Sequence, residues 1–162
     1  MAAVTSAGIL LFRWAADDLE VLLGHMGGPF WSRKDEAAWS IPKGIYIDGE
    51  EPLAAALREF TEELGLAPPV EPDALQPLGE LRQPSGKRLT IWAAEGDLDP
   101  ADVVPGVFTM EWPPRSGTMA EFPEIDRAQW WRLDDARVKL VKGQRPFLDR
   151  LVERVSPLRG DA

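Results

Sequence analysis

The chain contains no cysteine, which excludes disulfide bridges and thiolate-ligated metal sites. That absence fits a cytoplasmic protein. Histidine is nearly absent: His25 stands alone at the end of an apolar run. A lone histidine there is more often structural or solvated than catalytic. Positive charge is also scarce. Eighteen Lys and Arg against 27 Asp and Glu leave a net charge of −9, which argues against non-specific nucleic-acid binding. A phosphorylated small molecule remains compatible with that charge if metal ions bridge the like charges. No apolar run approaches the length of a membrane-spanning helix. The opening MAAVTSAGILLF lacks both the basic leader and the long apolar region of a signal peptide. The expectation is a cytoplasmic enzyme with no membrane partner. Neither an internal repeat nor a domain-boundary linker is visible.

What is present suits one globular domain over residues 1–162. With 44% hydrophobic residues the chain can bury a sizeable core, and its 15 prolines and 14 glycines imply substantial loops. Residues 4–13 (VTSAGILLFR) read as a buried strand, residues 14–18 as a turn, and residues 19–24 (LEVLLG) as an antiparallel partner. Residues 25–38 form a long loop, and loops of that length are often functional. Within it, Phe30 and Trp31 read equally as substrate contacts or as loop packing, and Arg33 and Lys34 as phosphate contacts or a solvated basic pair.

Residues 75–82 and 88–94 read as strands joined by a hairpin-like turn at 83–87. Residues 97–122 read as irregular, with scattered acids that lack calcium-loop spacing. Arg115 follows the rigid Pro113-Pro114 bend and is a candidate phosphate contact. Order is expected to return over residues 121–133. Asp134 is expected to cap a short helix, residues 143–155 to form another, and residues 156–162 to fray.

The chain is organised around residues 44–66, GIYIDGEEPLAAALREFTEELGL. Pro52 suits a first helical turn, the following run is rich in helix formers, and Gly65 suits a left-handed cap. On that helix Leu53, Ala56, Leu57, Phe60 and Leu64 form an apolar stripe. Glu59, Glu62 and Glu63 fall at i, i+3 and i+4 and share the neighbouring face. Three carboxylates so placed repel one another. By themselves they read either as a solvated acidic face or as a site for a hard, oxygen-liganded dication.

The wider stretch decides between the two. Gly44, five residues, Glu50, seven residues, Arg58-Glu59-Phe60, one residue, Glu62-Glu63, one residue, Gly65-Leu66 resembles the full signature of the Nudix (MutT-like) hydrolases, nine positions matched over 23 residues. The resemblance implies an α/β/α sandwich with a mixed, curved sheet and a loop–helix–loop over the signature. It also implies hydrolysis of a nucleoside diphosphate linked to another group, using magnesium or manganese. Glu59, Glu62 and Glu63 match the metal-binding positions, and Arg58 the arginine that orients them. Glu50 matches an acidic position just outside the metal ligands, where Gly44 also lies. Lys43 matches a residue whose backbone carbonyl commonly binds metal.

Outside the signature, family members often carry another acid six residues before a Trp that opens a strand. Glu124 and Trp130 have that spacing, so Glu124 resembles a further metal ligand or general base, with Glu121 as the alternative. WSIPKG, residues 39–44, resembles subfamilies acting on diadenosine polyphosphates and diphosphoinositol polyphosphates, where Lys43 would offer a point charge to phosphate. GGPFW, TMEWPPRSG, FPEIDRAQWW and KGQRPFLDRL together resemble a bacterial subfamily known as predicted NTP pyrophosphohydrolases. The resemblance therefore implies a nucleotide or polyphosphate partner. The alternatives are a non-catalytic nucleotide-binding sensor and an RNA-cap pyrophosphohydrolase.

Overall fold

The computed structural model describes residues 5–46 and 49–155. Val4 of the expected first strand, Ile47 and Asp48 of the signature, and the expected tail at 156–162 lie outside the described residues. The chain starts with the hairpin β1 (Thr5–Ala15) and β2 (Asp18–Met26), in register Phe12↔Val21. The turn expected at 14–18 tightens to two residues, with Ala16 at φ 56°. Two short strands follow, β3 (Trp39–Ser40) and β4 (Lys43–Ile45), and then helix α1 (Pro52–Leu64). Next come β5 (Gln76–Arg82) and β6 (Arg88–Glu95), then β7 (Val107–Glu111) and β8 (Met119–Pro123). The chain continues through β9 (Ile125–Arg132), α2 (Leu133–Lys139) and α3 (Pro146–Val155).

Seven strands form one mixed sheet in the order β3-β2-β1-β6-β5, with β4 paired to β1 and β9 to β2. β1 and β6 run parallel; the other pairs are antiparallel. Helices cover both faces, which explains why residues 6–12 of β1 are buried without alternation. Ile9 and Leu11 pack with Phe60, Leu64 and Trp130 beneath α1. Leu10 and Phe12 pack on the opposite face with Trp39, Phe147 and Leu151, beneath α2 and α3. The α/β/α sandwich is thus borne out.

Four local expectations need correction. Residues 107–123 are not irregular but form a separate two-stranded sheet, with Thr109 opposite Glu121. Their apolar residues fall on both sides of the strands, with Val107 and Met119 exposed, so the apolar–polar alternation that marks a strand in sequence is missing. Asp134 does not cap α2: the N-cap is Arg132, without a side-chain bond, and Asp134 sits in the first turn, where its charge opposes the helix dipole's positive end. Residues 143–155 are not one helix. A 3₁₀ turn at Lys142–Gln144 precedes α3, which starts at Pro146, a residue suited to a helix start and unable to donate within one. Finally, Ala55 joins the buried face of α1 while Leu53 and Leu57 are only half-buried.

Candidate active site

α1 begins as anticipated, with Pro52 in its first turn, and ends at Gly65 in the left-handed region (φ 74°). The three signature glutamates do not share one environment. Glu59 and Glu63, one turn apart, are buried at 8% and 9% exposure, whereas Glu62 faces solvent. At about 100° per residue, Glu59 and Glu63 lie nearly in line and turn towards β4.

Each carboxylate is held by a specific donor. Glu63 Oε2 accepts the Lys43 main-chain N–H at 2.6 Å. Arg58 grips Glu50 through Nε and Nη2, at 2.8 and 2.9 Å. Its Nη1 donates to Glu59 Oε1 at 2.9 Å and to both oxygens of Glu62 at 3.2 Å. Such a fork suits the planar guanidinium, and the bond to Glu50 leads the causes that push Arg58 above its ordinary pKa. Gly44 leaves the space that Glu59 occupies: a β-carbon there would fall 1.9 Å from Glu59 Oε2.

Glu124 enters from the link between β8 and β9. Its backbone N–H donates to Gly106 O at 2.8 Å, and Gly106 N–H donates to Glu63 O at 3.4 Å, which ties Glu124 to the end of α1. Its own carbonyl accepts Gly27 N–H at 3.0 Å. Its carboxylate has no hydrogen-bond or ion-pair partner among the described residues. Glu121 lies instead on the separate β7–β8 sheet, opposite Thr109.

The electrostatics join these groups. Burial pushes the Glu63 carboxyl up to about 8; Lys43 opposes the shift by charge and by its N–H, and Glu124 and Glu59 add to it. Burial also raises Glu59, against Arg58 and with Glu62 and Glu50 adding. Glu124 is raised by burial and then by Glu59 and Glu62, with Lys43 opposing. Among the described residues, no three acids converge closely enough to encircle an ion. They turn instead to Arg58 and to Lys43 N–H. The donor set nevertheless fits a hard dication, because it is all oxygen and a cation would relieve the burial and mutual repulsion that disfavour these charges.

The expected basic contacts are more scattered. Lys34 Nζ sits over the Trp31 ring at 5.1 Å, and Arg33 and Lys34 are both exposed. Arg115 lies in the β7–β8 turn at φ 63°, its backbone N–H donating to Glu111 Oε1 at 2.8 Å. Among the described residues, no hydrogen bond joins these three side chains to the carboxylates. Phe30 is 59% exposed with its ring edge-on to Trp112, while Trp31 packs on the core. His25 is buried between Asp126, 2.9 Å from Nδ1, and Lys34 O, 2.6 Å from Nε2. It fastens the 27–38 loop to β9. Lys87 and Arg88, which were not singled out in the sequence, line a cleft with Lys43; Lys87 ends the β5–β6 turn and Arg88 opens β6.

The NUDIX domain model matches residues 4–151 of the chain. An RNA pyrophosphohydrolase of Francisella philomiragia is 45% identical over 49 residues, 30% of this chain and 32% of that protein. One from Francisella tularensis is 43% identical over 49 residues, with the same coverage. The matched stretch therefore spans about a third of the length of these relatives. Among solved structures, a C. elegans Ap4A hydrolase in a binary complex superposes with TM-score 0.65 at 23% identity, covering 96% of this chain and 99% of that one. The NUDIX domain of Shewanella oneidensis NrtR, complexed with ADP ribose, gives TM-score 0.64 at 18% identity, covering 96% and 90%. At these identities the likeness establishes the fold.

Proposed function

The chain belongs to the NUDIX family, hydrolases acting on pyrophosphate bonds, and we propose that its carboxylate site cleaves a P–O–P bond in a nucleoside diphosphate linked to a further group, a nucleoside triphosphate or dinucleoside polyphosphate above all. The observation that supports this reading is the seating of buried Glu59 and Glu63 against β4, where Gly44 makes room for one and Lys43 N–H holds the other, with Glu124 tied through Gly106 to the end of the same helix. Glu59, Glu62 and Glu63 would hold magnesium, or manganese in its place, with Glu124 and the Lys43 carbonyl as further oxygen donors. Bound there, the metal neutralises phosphate oxygens and lowers the pKa of water.

The chain's own groups supply the rest. Arg58, braced by Glu50, fixes the orientation of Glu59 and Glu62. Lys43 N–H fixes one oxygen of Glu63, and the other has no hydrogen bond among the described residues. Glu124, whose carboxylate has no partner among the described residues, takes a proton from the attacking water; Glu63 is the second candidate for that proton. The water oxygen bonds to phosphorus as the bridging P–O bond breaks, and the bond's electron pair leaves with the departing phosphate. Lys43 would offer a point charge to that departing phosphate. Arg33, Lys34 and Arg115 would be the contacts for outlying phosphates.

The test is phosphate-product release from nucleoside triphosphates, dinucleoside polyphosphates, nucleotide sugars and 5′-triphosphorylated and capped RNA, with magnesium and with chelator. Metal-dependent turnover of one class is expected, and Glu63→Gln should remove most of it while the protein stays folded. Turnover unchanged in Glu63→Gln sinks the assignment. A second reading, processing of RNA 5′ ends, draws on the local match to RNA pyrophosphohydrolases; the net charge of −9 weighs against it. Nucleotide binding without turnover across the panel would favour a sensor module instead.

A further inference from the structure

Glu124 differs from the signature glutamates in how its carboxylate is aimed. Arg58 holds Glu59 and Glu62, and Lys43 N–H holds Glu63. Glu124 is exposed, and its carboxylate has no hydrogen-bond or ion-pair partner among the described residues. With neither packing nor a donor on the side chain, its direction is set by the backbone that carries it. Both peptide groups of Glu124 are engaged, each by a glycine. Glu124 N–H donates to Gly106 O at 2.8 Å, and Glu124 O accepts Gly27 N–H at 3.0 Å.

Each glycine is itself anchored to a regular element. The segment leading to Gly106 runs along the end of α1, whose last carbonyls have no partner within the helix. Val104 N–H donates to Leu64 O at 2.8 Å, and Gly106 N–H to Glu63 O at 3.4 Å. Gly27 continues β2. The pairing of β2 with β9 shifts register between His25 and Met26, so Met26 stands opposite Ile125 and Gly27 beside Glu124. Irregularities of this kind re-aim side chains next to functional sites. The loop that Gly27 opens is closed at its base by Met26 N–H, which donates to Ala38 O at 2.9 Å. Glu124 therefore bridges the end of α1 and the end of β2 through main chain alone.

Space, not torsion, requires glycine at both places, since neither has a positive φ. A β-carbon on buried Gly27 would lie 1.9 Å from Pro123 O and 3.2 Å from Glu124 C. One on Gly106 would lie 2.7 Å from Glu62 O. The nearest atoms at both places are backbone, which cannot swing aside as a side chain can. A methyl group at 27 must push the Pro123–Glu124 peptide, and one at 106 must push the link from Glu124 to α1. We propose that Gly27 and Gly106 are positioning residues, which fix the Glu124 carboxylate relative to the signature glutamates and so set its place at the attacking water. The proposal rests on the hydrolase reading and on the role that reading gives Glu124.

The experiment is a double-mutant cycle on the member of the substrate panel that the native protein hydrolyses with magnesium. It measures kcat and KM for Gly27→Ala, Glu124→Gln and the pair. Gly27→Ala should lower kcat at least tenfold with KM within twofold, because a displacement of about 1 Å can cost roughly a hundredfold. In the Glu124→Gln background the same change should cost less than twofold further, whereas a merely structural effect would multiply. Gly96→Ala, which crowds Val70 and Leu11 instead, should leave kcat unchanged. Melting curves check folding, and Gly106→Ala repeats the cycle if Gly27→Ala does not fold. A native kcat in Gly27→Ala, or losses that multiply, overturns the proposal and leaves the hydrolase reading intact. Where the whole panel is silent, manganese titration followed by electron paramagnetic resonance reads the same arrangement without turnover. Gly27→Ala and Glu124→Gln should then weaken binding by a similar factor, at least threefold, and the pair no further. That result would remove the hydrolase reading and keep the positioning role. A silent panel with manganese binding indifferent to Gly27→Ala would remove both.

Discussion

Gly44 and Glu59 are interlocked: the place of a Gly44 side chain is taken by the Glu59 carboxyl, with Oε2 and Cδ only 1.9 and 2.0 Å from where a β-carbon would sit. Gly44→Ala must therefore displace a buried carboxylate that Arg58 holds from its other side. Turnover should fall at least tenfold, with a stability loss of about 1–3 kcal/mol from overpacking. Steady-state kinetics beside a denaturant titration measures both. Native turnover in Gly44→Ala would mean that Glu59 has no fixed role.

Arg58 serves three carboxylates at once, and only a guanidinium can do so. Arg58→Lys keeps the charge but loses the paired bonds to Glu50. Because the pairs are partly exposed, the stability cost should be modest, about 1 kcal/mol. The catalytic loss should be larger, tenfold or more, as Glu59 and Glu62 lose their common brace. A variant whose turnover falls no further than its stability predicts would contradict this role.

Without metal, the buried acids make stability depend on pH in an unusual direction. The folded-state pKa of Glu63 lies above its ordinary value, at about 8. Its contribution is fully present below the unfolded pKa and is lost as pH rises through the folded value. Melting temperature in chelator should thus decline from about pH 5 to pH 8, and Glu63→Gln should flatten that decline. Magnesium should restore stability at the upper end, since it binds only the arranged carboxylates. A chelated protein equally stable at pH 5 and pH 8 would contradict the burial of an ionisable Glu63.

His25 is placed to hold structure. Both ring nitrogens face acceptors, and its ring meets Trp39 edge-on at 5.1 Å. His25→Ala should destabilise the protein by about 2–4 kcal/mol through the cavity and the polar groups left unpaired. Any activity change should follow from unfolding. A catalytic histidine would give the opposite pattern, large kcat loss with an unchanged melting temperature.

Much of this architecture was legible in the order of residues because it is local. Helix α1, its proline start and its glycine end follow from spacing within one segment. So do the β1–β2 hairpin and the pairing of β5 with β6, since short connections leave neighbouring strands few partners. The β7–β8 sheet was not legible, because its strands are short, half-exposed and interrupted by prolines. Side-chain period carries little signal when neither face is fully buried.

The spacing of Glu59, Glu62 and Glu63 placed them on one side of a helix but could not say which of them is buried. That depends on β4 packing across α1, where Gly44 makes room for Glu59 and Lys43 supplies an N–H to Glu63. Spacing before Trp130 pointed to Glu124, with Glu121 as the alternative. The chain path separated them, because Glu124 is tied through Gly106 to the end of α1 and Glu121 faces Thr109 on another sheet. The cleft of Lys43, Lys87 and Arg88 had no counterpart in the linear order. Lys43 on β4 and Lys87 just before β6 are 44 residues apart and become neighbours only when β1 inserts between those strands. Helical and hairpin contacts are set by nearby residues, whereas a site built across a sheet exists only once distant strands have paired.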